Sequence, residues 1–234
     1  MNFLKIDSVK RTTGSTASDF KIKLSQPIDQ GHKYELVYSH IPETYYQVDA
    51  TNNQFYINEG ASDLLATIPS GYYSSATLVT ALSVSLNALG GHTYVVSLSS
   101  LTQKILITDS TGTFSVKMGT ARTAPCDALG FTTDTALASS NAGENNVNLE
   151  KNQSLSIDIN NIVNVQGTNF GSTFDIPSEV DSLQVNAYKS ESRFVQTVEF
   201  SHPTSQLQVR LKDANNITVD LQGHEWYMLL KRVA

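Results

Sequence analysis

Cysteine is almost missing from this chain of 234 residues: Cys126 stands alone. No intrachain disulfide can form, which excludes a disulfide-stapled secreted fold and fits assembly inside a cell. Charge is scarce as well. Charged residues make up 16%, against about 25% in ordinary soluble domains, so the polar surface must come from Ser, Thr, Asn and Gln. Such a surface offers little electrostatic barrier to packing against copies of itself. Surplus positive charge is also lacking. The formal net charge is −6, which argues against nucleic-acid binding as the main role. Only residues 1–40 lean the other way, with Lys5, Lys10, Arg11, Lys21, Lys23 and Lys33 against Asp7, Asp19, Asp29 and Glu35. Any nucleic-acid contact is expected to be weak and to run through this N-terminal region. No apolar run approaches the ~20 residues of a membrane span. The opening MNFLKIDSVKRTTG lacks the apolar centre of a signal peptide, so the sequons at Asn152 and Asn216 read as chance occurrences.

Catalytic signatures are missing too. The chain has no G-x-S-x-G elbow and no phosphate-cradling glycine loop. His32, His40, His92, His202 and His224 are scattered, with no two at metal-ligand spacing. Cys126 sits beside Asp127 in an apparent helical turn, where a small buried residue is the expected role rather than a nucleophile. The acidic residues Asp175, Glu179 and Asp181 match no calcium loop. The expectation is therefore no enzyme, no cofactor and no metal.

What is present is a succession of short strands and turn signals. Phe20, Ile22 and Leu24 alternate with Lys21 and Lys23. Tyr34–His40 is more continuously apolar and ends at Pro42, which cannot donate to a ladder. Further strands are predicted near 54–57, 64–68, 93–98, 104–108, 113–117, 154–159, 173–176, 183–188, 194–200, 207–211, 217–221 and 226–230. Loops are predicted over Thr132–Asn148 and Asn164–Gly171, and a hairpin turn at Asp213–Asn216. One helix stands out. Ser74 or Ser75 can cap it, Leu78, Leu82, Leu86 and Leu89 form one face, and Gly90-Gly91 closes it. That stripe is expected to pack on a sheet. Adjacent aromatic pairs (Tyr45-Tyr46, Tyr72-Tyr73, Trp226-Tyr227) put one ring inward and one outward in a strand, and Tyr46, Tyr72 and Tyr73 are the candidate exposed interaction residues. Many short strands with one helix predict an all-β sandwich rather than alternating β/α units, with a barrel as the alternative. Residues 1–60 and 150–234 are expected to form it together, with 61–149 as an inserted helix-and-hairpin region that could be a separate, projecting domain.

The order of segments carries a resemblance. The succession IPETYYQVDATNNQFYINE (41–59), IPSGYY (68–73), LVTALSVSLNAL (78–89) and DALGF (127–131), followed by LSIDINNI, STFDIP and LQVRLKDANNITVDLQGHEWYMLL (207–230), resembles the penton or minor capsid proteins of virophages and of polinton-like and adinto-type viruses. The resemblance covers nearly the whole chain and lies in order and spacing. It implies a single jelly roll that forms homopentameric vertices of an icosahedral capsid. It also implies a major capsid protein of double-jelly-roll type as partner, location in the virion, and a host receptor or glycan as a further partner. No catalytic residue is carried over. A receptor- or glycan-binding spike or fibre head is the competing reading; a β-sandwich enzyme would need an acidic pair or metal set that the sequence does not offer.

Overall fold

The structure is a computed structural model and describes residues 3–12, 16–119, 122–149, 154–166, 173–178, 184–190 and 195–233. Among these it has sixteen strands and one α-helix. In order they are β1 (Phe3–Asp7), β2 (Asp19–Ile28), β3 (Lys33–Pro42), β4 (Gln54–Asn58), β5 (Asp63–Thr67), α1 (Ser75–Asn87), β6 (Tyr94–Leu98), β7 (Ile105–Asp109), β8 (Ser115–Val116), β9 (Ser140–Ala142), β10 (Ser154–Ile159), β11 (Ile162–Gln166), β12 (Thr173–Pro177), β13 (Val185–Lys189), β14 (Thr197–Phe200), β15 (Thr204–Lys212) and β16 (Tyr227–Val233). The chain divides into two units, Met1–Tyr45 with Asn152–Ala234, and Tyr46–Lys151.

The first unit is a jelly-roll sandwich. One sheet runs β1-β16-β3-β14-β11, with β13 also on β3; the other runs β12-β10-β15-β2. Leaving aside β11 and β13, the remaining eight strands counted along the chain give 1-8-3-6 and 2-7-4-5, the order of two interleaved Greek keys. Alternation builds the core. Phe20 and Ile22 of β2, Leu155, Ile157 and Ile159 of β10, Phe174 and Ile176 of β12, and Leu207, Val209 and Leu211 of β15 all point inward and are buried. They meet Leu36, Ile41, Phe200, Met228 and Leu230 from the facing sheet. Trp226 anchors one end: it is 1% exposed, its Nε1 donates to the Ala17 carbonyl at 2.7 Å, and Phe20 packs edge-on at 5.9 Å. Strand β3 contains a bulge. Leu36 pairs with Leu230 and Tyr38 with Leu229, so Val37 is the extra residue. The buried positions accordingly switch from Tyr34 and Leu36 to Ser39 and Ile41.

The second unit has its own core. It holds two three-stranded sheets, β5-β4-β8 and β6-β7-β9, and α1. Phe55, Ile57, Ile105, Ile107, Phe114 and Phe131 are fully buried, together with Leu78, Leu82 and Leu86 of the helix. Ser74 caps α1. Its Oγ accepts from the Thr77 N–H at 3.2 Å and Thr77 Oγ1 accepts from the Ser74 N–H at 2.8 Å, a reciprocal box built with Thr in place of Glu.

Several expectations need correction. The first unit ends at Tyr45, not at residue 60, because β4 pairs with β5 and β8 and buries Phe55 and Ile57 in the second core. Residues 217–221 are not a strand: they make a single bridge, Lys212 to Thr218, after a turn in which Asp213 Oδ1 accepts from the Asn215 and Ile217 N–H groups. Residues 164–166 belong to β11 rather than to a loop, pairing with β14; the rest of that expected loop, 167–171, lies outside the described residues. The polar 132–148 segment contains β9, whose Asn141 is buried and donates from Nδ2 to the Phe114 carbonyl at 2.9 Å.

Candidate interaction surface

The two outer faces of the sandwich differ. On the β12-β10-β15-β2 sheet, the outward positions are polar or charged. Arg210 lies 3.3 Å from Asp19 and 3.9 Å from Asp158, and Lys212 lies 3.1 Å from Asp158. Lys21, Lys23 and Gln206 are exposed beside them. This is the ordinary water-facing side of an antiparallel sheet.

The outer face of β1-β16-β3-β13 is built otherwise. Register places Lys5 across from Leu229, Tyr227 across from His40, and Leu229 across from Tyr38, with Ala187 next to His40 and Val185 next to Pro42. Tyr227 is the centre. Lys5 Nζ sits 4.5 Å from its ring centroid, His40 stacks on it at 5.2 Å and 9°, and Tyr38 leans on it at 5.9 Å. Burial raises the Tyr38 hydroxyl, with Tyr227 adding to it. Val185 is 39% and Phe3 47% exposed. Charges lie around the margin: Lys5 bonds Asp7 at 2.8 Å, Lys33 faces Glu199 at 3.8 Å, and Glu35 accepts from Ser190.

A cleft of about 170 Å³ opens beside β1 and β2, lined by Phe3, Leu24, Pro27, Tyr34, His32 and Arg232. It lies where β2 leaves its partner: Lys23 pairs with Gln206 and Ile28 with Thr204, so Leu24–Pro27 bulge away from β15.

In the second unit, Tyr46 and Tyr72 are half-buried and pack edge-to-face at 5.2 Å. Tyr73 is half-buried against the core and donates its hydroxyl to the Pro69 carbonyl at 2.5 Å. These three tyrosines thus engage one another or the chain. Leu89, the last of the helix stripe, is half-buried against the same core. Cys126 is fully buried and its thiol is pushed up to about 12, by burial first and by Asp127 second, far from thiolate chemistry at neutral pH. Sequence reasoning missed one polar cluster. His92 Nδ1 lies 2.5 Å from Asp109 Oδ2, His92 Nε2 lies 4.0 Å from Glu59, and Tyr94 donates to Glu59 at 2.7 Å. A Cβ at Gly112 would stand 2.6 Å from the His92 ring, so that glycine leaves room for it. Glu59 and Asp109 are too far from His92 in sequence to carry a spacing signal. Among the described residues no group of three His, Cys, Asp or Glu side chains is placed to hold a metal. Burial raises Asp175, while Glu179 and Asp181 lie outside the described residues.

The sheet order and the pair of cores define an all-β protein of the jelly-roll class with a long insertion between its third and fourth principal strands. A solved structure shares this fold: the penton protein of mavirus, with a TM-score of 0.51 and 12% identity over 99% of each chain. No family model matches the chain, and no curated protein does.

Proposed function

We propose that this chain is a structural capsid protein that forms homopentameric vertices of an icosahedral virion, with residues 46–151 as a domain added to the vertex jelly roll. The observation that supports this most is the end-to-end fold likeness to a penton protein, which spans the sandwich and the insertion alike. Fold alone does not carry function, so the chemistry matters too. Among the described residues no group of three His, Cys, Asp or Glu side chains is placed to hold a metal, and the sole thiol is buried. A binding and assembly role uses what is there: antiparallel sheets, little charge and, among the described residues, a sheet face of half-buried aromatic side chains. In this role no substrate is turned over, and a double-jelly-roll major capsid protein surrounds the pentamer.

A fivefold ring is a heterologous contact that closes on itself. Light scattering on the size-fractionated protein should give five times the chain mass of 25.6 kDa, and negative-stain images should show fivefold rings. A trimer would favour the fibre-head reading. A monomer at high concentration would remove the vertex reading.

A further inference from the structure

We infer that the outer face of β1-β16-β3-β13 is where a second copy of this chain docks. The inference rests on the assembly reading above and names the surface that carries it. Three observations point there. First, the molecule supplies its own comparison. One outer sheet face is laced with Asp–Arg–Asp–Lys contacts, while the other presents Tyr38, His40, Val185, Ala187, Tyr227 and Leu229. A sheet face meant for water alternates to polar residues outside, so an aromatic face is one that is covered in the working state.

Second, its layout is that of an interface: a tyrosine-rich centre inside a charged rim. Four strands about 4.8 Å apart and roughly six residues of about 3.3 Å each give some 400 Å² of sheet. That is half of the about 800 Å² each partner gives to a stable contact, the share expected of an apolar centre.

Third, charge and ring geometry select the occupant. Lys5, Lys33, Lys189 and Lys231 face Asp7, Glu35 and Glu199, four cations to three anions, and two of these pairs are already closed. A nearly neutral face fits a charge-poor partner, and this chain, at 16% charged residues, is one. Nucleic acid needs a cationic surface and open ring faces. The Tyr227 ring is already engaged, by the Lys5 ammonium at 4.5 Å and by the stacked His40 ring at 5.2 Å.

The test compares the full chain with Val185→Arg/Ala187→Arg on this face and Gln206→Arg on the opposite sheet, all outward positions. Light scattering should show at least a tenfold weaker association for the double variant, with an unchanged melting temperature, and wild-type mass for Gln206→Arg. In parallel, acetylation of Lys189 and Lys231 in the wild type should fall several-fold above the association concentration; this needs no variant. A double variant that assembles like the wild type, or lysines labelled equally in both states, overturns this face while leaving the ring itself standing. A monomeric wild type overturns both. A single-stranded oligonucleotide bound by the wild type and lost in the double variant would assign the face to nucleic acid and overturn the inference.

Discussion

Asp109 has no exposed side-chain surface, and burial alone would favour its neutral form. The local bonds win instead. Its Oδ1 accepts from the Thr111 N–H at 2.8 Å, the Thr111 hydroxyl at 2.9 Å and the Gly112 N–H at 3.0 Å, and Oδ2 faces His92. The net result lies below the ordinary 3.8. A carboxylate depressed in the folded state stabilises fully above its unfolded value, and loses that contribution as pH falls through the folded one. Asp109→Asn should therefore cost about 2 kcal/mol at pH 7, the scale of hydrogen bonds to a charged group, and the difference from wild type should shrink below pH 3.8. Urea denaturation at several pH values measures it; a gap that stays constant down to acid pH would show that the charge is immaterial.

At the scale of elements, α1 offers a comparison along one helix. Leu82 is fully buried and Val84, two residues on, is 66% exposed. Leu82→Ala should cost about 3 kcal/mol through lost transfer energy and a cavity. Val84→Ala should change stability by less than about 0.5 kcal/mol. Thermal melts of the two variants check the pair, and equal losses would mean that the leucine stripe is not what holds the helix. That stripe was legible because Leu78, Leu82, Leu86 and Leu89 repeat at helical spacing. Strands such as β2 and β10 were legible for the same reason, with apolar residues at every second position. Three features were not. The Val37 bulge in β3 is a difference between two strands, and neither strand shows it alone. Strand β9 is polar because its buried Asn141 serves a carbonyl rather than an apolar core. The 217–221 segment alternates like a strand, yet Val219 and Leu221 reach the core from a loop. The aromatic face was hidden for a related reason: Tyr38, His40 and Tyr227 meet only through pairing between strands nearly 190 residues apart.

For the molecule as a whole, the two cores share no buried residue among the described residues. Trp226 is the only tryptophan and lies in the sandwich, whereas α1, the one α-helix among the described residues, lies in the 46–151 unit. Fluorescence therefore follows one unit and ellipticity at 222 nm leans on the other. In Leu82→Ala, the helical signal should be lost at lower urea than the tryptophan signal, which should keep its wild-type midpoint. Coincident transitions by both probes would mean that the chain unfolds as a single cooperative body.

The pairing of β1 with β16, from Phe3 with Lys231 to Asp7 with Tyr227, also sets a timetable. During synthesis the first strand leaves the ribosome more than 200 residues ahead of its partner, and no jelly roll can close until the last strand arrives. Residues 46–151 are contiguous and wait for nothing downstream. An insertion that unfolds independently of the sandwich is one that can fold on a nascent chain whose sandwich strands are still unpaired.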